Sequence, residues 1–205
     1  MTTRNDASGK LTLADIADLR AYERERADFR AHVIALKKRR RVHVGPVVTL
    51  VFENRDTIRF QIQEMARVEK LMTDEAIQGE LDTYNTLIPG PGQLCATVFI
   101  ELTEDAQMRE WLPKLVGIER SIALRVGTGP DAVTLRAAPE AAHAGQLTRE
   151  EVTAAVHYVF WELTPEQADA VAEGPLTLVI DHPSYPEETA LSSDTVEELR
   201  ADLAG

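Results

Sequence analysis

The chain has 205 residues, 44% of them hydrophobic, and a formal net charge of -12, which supplies enough apolar material for a full core and excludes disorder throughout. No apolar run approaches the roughly 18 residues of a membrane span, and the N-terminus MTTRNDASGK lacks the apolar stretch of a secretory signal. The single Cys95 excludes an intrachain disulfide framework and any multi-cysteine metal site.

The expectation is a cytoplasmic protein with a disordered N-terminus over residues 1–11 and one α+β domain over residues 12–205. Thr12 and Asp15 make an N-cap arrangement, so a helix is expected from near Leu13 to about Arg39. Leu19, Tyr22, Phe29, Val33 and Leu36 fall on one stripe of it, the spacing of a core-facing edge. The segment RVHVGPVVTLVFENRDTIRF is rich in β-branched residues and punctuated by Gly45-Pro46 and Asn54-Arg55-Asp56, which predicts a hairpin with strands near 47–53 and 57–61. From Gln61 the period changes to that of a helix, with Ile62, Met65, Val68, Leu71 and Met72 toward the core. Thr73 is placed to cap a second helix, DEAIQGELDTYNTL, which stops before PGPG at residues 89–92.

Farther on, LCATVFIEL reads as a strand and TEDAQMREWL as a helix stopped or bent by Pro113. SIALRV and AVTLR read as strands joined by the turn GTGPD, and AAVHYVFWEL as a strand alternating Val156, Tyr158, Phe160 with His157, Val159, Trp161. In LTPEQADAVAEGP, Thr164 at the N-cap, Pro165 at N1, Gln167 at N3 and Gly174 at the stop frame a helix. PLTLVID is a further strand and DTVEELRADL a final, exposed helix. These elements predict helices packed on a largely antiparallel sheet, behind a long N-terminal amphipathic helix.

Charge is unevenly placed along this order. Residues 20–41 hold nine basic and three acidic side chains, whereas residues 139–205 hold fourteen acidic and two basic ones. Such a surface repels polyanions nearly everywhere and keeps one positive site, centred on Lys37, Lys38, Arg39, Arg40 and Arg41. Cations at a helix end complement its negative pole, but that role does not need all five. Nucleic-acid binding would call for stacking aromatics beside the charge, and aromatics make up only 5% of the chain. The run is better suited to an acidic protein or to the chain's own acidic C-terminal part.

Phosphate-binding loops, the GxSxG and HExxH signatures and EF-hand loops are absent from the sequence. One Glu-x-x-His unit, Glu140 to His143, sits in an Ala/Gly-rich stretch, where a di-iron bundle would need two on facing helices. Among the histidines, His32 and His43 are expected at the surface. His157 lies inside an apolar strand and His182 at a strand end. A pocket of His157, His182 and a carboxylate such as Glu64 or Glu101 is the enzyme alternative, metal-dependent or acting on a small molecule; no metal, cofactor or catalytic role is assigned.

The motifs YERERADFRAHVIALKKRRRV, FENRDTIRFQIQEM and YNTLIP resemble a bacterial family known only as a domain of unknown function, with the likeness running from about Tyr22 to Tyr185. The resemblance implies genes beside those of rubrerythrin-like and heterodisulfide-reductase-like iron–sulfur proteins, and hence an accessory to a redox system binding such a partner. It implies no catalytic residues. The matched positions most worth locating are Arg41, Glu53, Asn54, Arg55, Gln61, Glu64, Tyr84, Asn85 and His157.

Overall fold

Asp18, not Thr12, starts the long first helix. In the computed structural model, which describes residues 9–140 and 152–204, Thr12 and Asp15 close a single 3-10 turn over Leu13–Asp15. The chain then breaks, and the Asp18 carboxylate accepts the backbone N–H of Ala21 at 2.8 Å to open α1, Leu19–Arg40. A short polar side chain that satisfies an orphan N–H is what fixes a helix start, so the later acceptor sets the boundary.

The expected strand over residues 57–61 is instead helical. Asn54 caps α2, Arg55–Glu69: its side chain accepts the Thr57 N–H, and the Thr57 hydroxyl accepts the Asn54 N–H in return. The cap outweighs the β-branched residues Thr57 and Ile58, which are buried on the helix along with Ile62, Gln63 and Ala66. The helix ends at Glu69 with Lys70 in the left-handed region at φ 57°. Val68 and Met72, expected in the core, are 67% and 84% exposed. Thr73 caps α3, Asp74–Tyr84, as its position predicts.

The chain groups into two compact units, residues 1–39 with 53–90 and residues 40–52 with 91–205. The first is built from α1 to α3. Tyr22, Val33, Leu36, Ile58, Ile62 and Leu81 are among its buried residues. Asn85 holds its N-terminal segment: Oδ1 accepts the Leu11 N–H and Nδ2 donates to the Leu11 carbonyl, both at 2.9 Å.

The second unit is built from two sheets. Strands β1 (Arg41–Val44), β2 (Val48–Glu53), β3 (Gln93–Ile100), β7 (Val156–Glu162) and β6 (Ala138–Pro139) form one, in the order β1-β2-β3-β7-β6. Strands β5 (Val133–Arg136), β4 (Ile122–Val126), β8 (Leu176–His182) and β9 (Tyr185–Ala190) form the other, in that order. The pairings β1/β2, β3/β7, β6/β7, β4/β5, β4/β8 and β8/β9 are antiparallel. The chain changes sheets at Ala137, between β5 and β6, whose N–H donates to the Ile122 carbonyl at 2.9 Å. The alternation within each strand puts Leu50, Phe52, Val98, Leu124, Val159, Trp161 and Leu178 into one buried cluster. Cys95 is buried on β3.

Helices α4 (Asp105–Lys114), α5 (Pro165–Glu173) and α6 (Ser193–Ala204) belong to this unit. Pro113 sits in the last turn of α4, and α5 has the reciprocal Thr164–Gln167 cap that its sequence predicts. α6 is less exposed than expected, since Thr195 and Leu199 are buried. One turn is fixed by a tyrosine. The Tyr185 hydroxyl accepts the N–H groups of Val47 and Val48 and donates to the Val44 carbonyl, pinning the β1–β2 hairpin. Gly45 in that turn has φ +67°, and a Cβ there would lie 2.6 Å from the same hydroxyl.

Candidate functional site

The basic run does not form one surface, because it spans the end of a helix and the start of a strand. Arg40 lies four residues after Leu36 on the buried edge of α1 and is 1% exposed. Its Nε donates to Glu198 at 3.1 Å and its Nη1 to Asp202 at 2.8 Å and the Phe52 carbonyl at 3.4 Å, while Nη2 donates to the other Asp202 oxygen. The two acids lie on α6, so this part of the run meets the chain's own acidic C-terminal helix. A planar guanidinium suits such a forked, nearly dry contact. Burial pushes the Asp202 carboxyl above its ordinary value, against the opposing effect of Arg40.

Arg41, the first residue of β1, points the other way. It donates to Glu101 at 3.3 Å and its guanidinium lies 5.9 Å from the Phe99 ring centre. Lys38 and Arg39 are exposed and Lys37 half-buried. Arg39 donates to the Ala35 carbonyl at 3.4 Å. Among the described residues, neither Lys37 nor Lys38 has a charged partner.

More unpaired cations lie along α1. Its acids Glu23 and Glu25 turn toward α2, accepting from Arg67 at 2.7 Å and Arg59 at 2.9 Å. Arg59 also lies 4.6 Å from the Phe29 ring centre. Arg26 makes a two-pronged contact with Glu64, at 2.8 and 2.9 Å. These pairs neutralise most of the acids on α1 and leave Arg20, Arg24 and Arg30, all exposed, without a charged partner among the described residues. The sequence count finds the positive segment but centres it on residues 37–41. The signal it passes over is the four-and-three spacing of Arg20, Arg24, Ala27, Ala31, Ile34 and Lys38, a second stripe opposite the apolar one.

Each of the four pocket candidates has hydrogen-bonding partners of its own. Glu64, on α2, accepts from the Tyr22 hydroxyl at 2.7 Å as well as from Arg26. The Arg26 hydrogen bond, more than any other effect, holds its carboxyl below the ordinary range; burial, with Glu64 second, pushes the Tyr22 phenol up. Glu101 follows β3 and accepts from Thr49 at 2.8 Å and from Arg41. His157, on β7, has Nε2 at 2.8 Å from the Thr153 hydroxyl and 2.9 Å from the Ala154 carbonyl. Burial lowers its pKa, and the nearby Glu119 carboxylate opposes that shift.

His182, at the end of β8, has both ring nitrogens committed to backbone. Nδ1 accepts the Ser184 N–H at 3.2 Å, and Nε2 donates to the Val116 carbonyl at 3.1 Å. These partners fix the tautomer and leave no lone pair for a metal. Glu101, His157 and His182 thus share no hydrogen-bonding partner, and no group of three His, Cys, Asp or Glu side chains among the described residues could hold a metal. His143 lies outside the described residues, so the Glu140–His143 unit is not located.

The long motifs carry structural ties. Asn54 caps α2, Arg55 pairs with Asp15, Glu53 accepts from Thr57, and Asn85 holds Leu11. A family model described as protein of unknown function, DUF3501, matches residues 10–203. The chain belongs to this family. This DUF3501 chain is also similar to a crystal structure of a protein of unknown function from Burkholderia pseudomallei, at 38% identity and a TM-score of 0.85, over 95% of this chain and 99% of that one. No curated protein matches. No helix among the described residues is long and apolar enough to cross a membrane.

Proposed function

We propose that this DUF3501 protein is a cytoplasmic accessory that docks onto an acidic redox partner, an iron–sulfur or rubrerythrin-like protein, through the basic side of α1. The observation that carries the reading is the unpaired charge: Lys37 and Lys38, with Arg20, Arg24 and Arg30, make no ion pair among the described residues, although acids outnumber bases over the whole chain. Unspent positive charge on an acidic protein steers a negatively charged partner and fixes its orientation. Arg40 takes no part in this contact, because it is buried against α6. The redox character of the partner rests on the gene neighbourhood that the family resemblance implies.

Co-purification from the native cell tests this reading. The expected result is an iron–sulfur or rubrerythrin-like protein held in a complex that dissociates as salt is raised, because exposed charge contacts are screened beyond about 10 Å at 0.1 M. Repeated recovery of the chain by itself at low salt overturns it.

A further inference from the structure

We infer that the docking element on the partner is an acidic helix laid lengthwise along α1, an inference that rests on the docking reading above. Arg20, Arg24, Ala27, Ala31, Ile34 and Lys38 step by four and three residues along α1, and every one of them is exposed. That spacing forms one straight seam, the geometry on which a second helix packs. Ile34, 52% exposed, puts one apolar side chain on this seam between its basic ends.

The charges define the occupant. Basic groups stand at both ends of the seam, Arg20 and Arg24 at one and Lys38 at the other, with Arg30 and Lys37 on one flank and the exposed acid Asp28 on the other. Its middle is Ala27, Ala31 and Ile34, small enough at two positions for a backbone to come close and apolar at the third. The matching helix has carboxylates toward both ends and an apolar residue between them, over about 20 residues or roughly 30 Å. Arg20 also borders a cleft of about 300 Å3 lined by Leu19, Leu71, Met72 and Ile77, with Asp18 and Asp74 on its wall. An apolar side chain at that end of the partner helix would have a place to anchor.

The test uses the full chain and a synthetic helical peptide with leucines in the middle and glutamates on both flanks. A scrambled peptide of the same composition serves as comparison. Titration followed by NMR should shift α1 amides from Arg20 to Lys38 with the patterned peptide and bind the scrambled one at least about tenfold more weakly. The pair Arg24→Glu and Lys38→Glu should weaken binding by about tenfold or more through charge. Ala31→Trp keeps every charge and should weaken it by a similar factor by blocking close approach. Equal binding of both peptides, with no effect of Ala31→Trp, would reduce the contact to diffuse attraction and overturn the inference. So would a sedimentation experiment showing the seam covered by a second copy, with Ala31→Trp restoring the monomer. A redox partner recovered from cells that still binds the Ala31→Trp chain would sink the seam and leave the docking reading intact. A patterned peptide that binds while no such partner is recovered would do the reverse.

Discussion

The helical unit and the sheet unit each cohere by a different means. In the first, long side chains tie one helix to another: Arg26–Glu64, Arg59–Glu25 and Arg67–Glu23 all join α1 to α2, at the margins of a small apolar core. In the second, interleaved strand residues bury a continuous cluster that includes Phe52 and Trp161, whose ring centres are 5.7 Å apart. Cohesion through partly exposed ion pairs responds to salt and acid, whereas cohesion through buried area responds mainly to lost volume. The same arrangement serves the proposed surface, because the ties that draw acids off α1 leave its outer side positive.

The contrast breaks most severely at the buried exception within the sheet unit. Arg40→Leu strands Asp202 and Glu198 beside an apolar side chain, and chemical denaturation should show a loss of about 3–5 kcal/mol. Leu50→Ala, at a fully buried β2 position, should cost about 2–5 kcal/mol in the same measurement, with little dependence on salt. Gly45→Ala forces a left-handed residue against the Tyr185 hydroxyl, and a loss of about 1–3 kcal/mol is expected, read as a lower thermal midpoint. In the helical unit, Tyr22→Phe removes one hydrogen bond to a carboxylate and should cost about 1.5–3 kcal/mol, judged by hydrogen exchange of α1 and α2 amides.

Solution conditions give the smallest effects and the sharpest comparison. At about 1 M salt, where the screening length is about 3 Å, amides of α1 and α2 should lose protection relative to those of β3 and β7. Acid should act on each unit over a different range. His157 is held below its ordinary value of 6.5, mainly by burial. As the pH falls through that value the unfolded chain takes up a proton that the folded chain does not, so the sheet unit should lose stability from near neutrality downward. Glu64 is held below its ordinary value of 4.5, so its contribution is present above that pH and lost only as the pH falls below it, toward the folded value. His157→Gln should flatten the first slope and leave the second; an unchanged slope near neutrality would show that another group titrates there.

Several elements were legible because one local signal decided each of them. The Thr73 and Thr164 caps, the β4–β5 hairpin about GTGPD and the alternation of β7 all stand where the sequence places them. The strand expected at residues 57–61 failed because a single reciprocal cap at Asn54 outweighs the β-branched residues behind it. β9, with its sequence YPEETA, carries no apolar alternation, and it forms because β8 offers it an edge. The site was less legible than the fold. Counting charge locates the positive segment, but the facts that Arg40 faces inward and that Glu23 and Glu25 are drawn to α2 depend on residues 34 or more positions away.

The buried Arg40 clamp also bears on how the chain is made. The guanidinium and its carboxylates are separated by 158 and 162 positions, so the hairpin base emerges from the ribosome long before Glu198 and Asp202 exist to neutralise it. The β1–β2 hairpin can reach its final state only after α6 has been synthesised, because contacts this distant in sequence form late and expose unpaired polar groups until they do. Nascent chains stalled before α6 should therefore hold that hairpin open to protease, and emergence of α6 should close it.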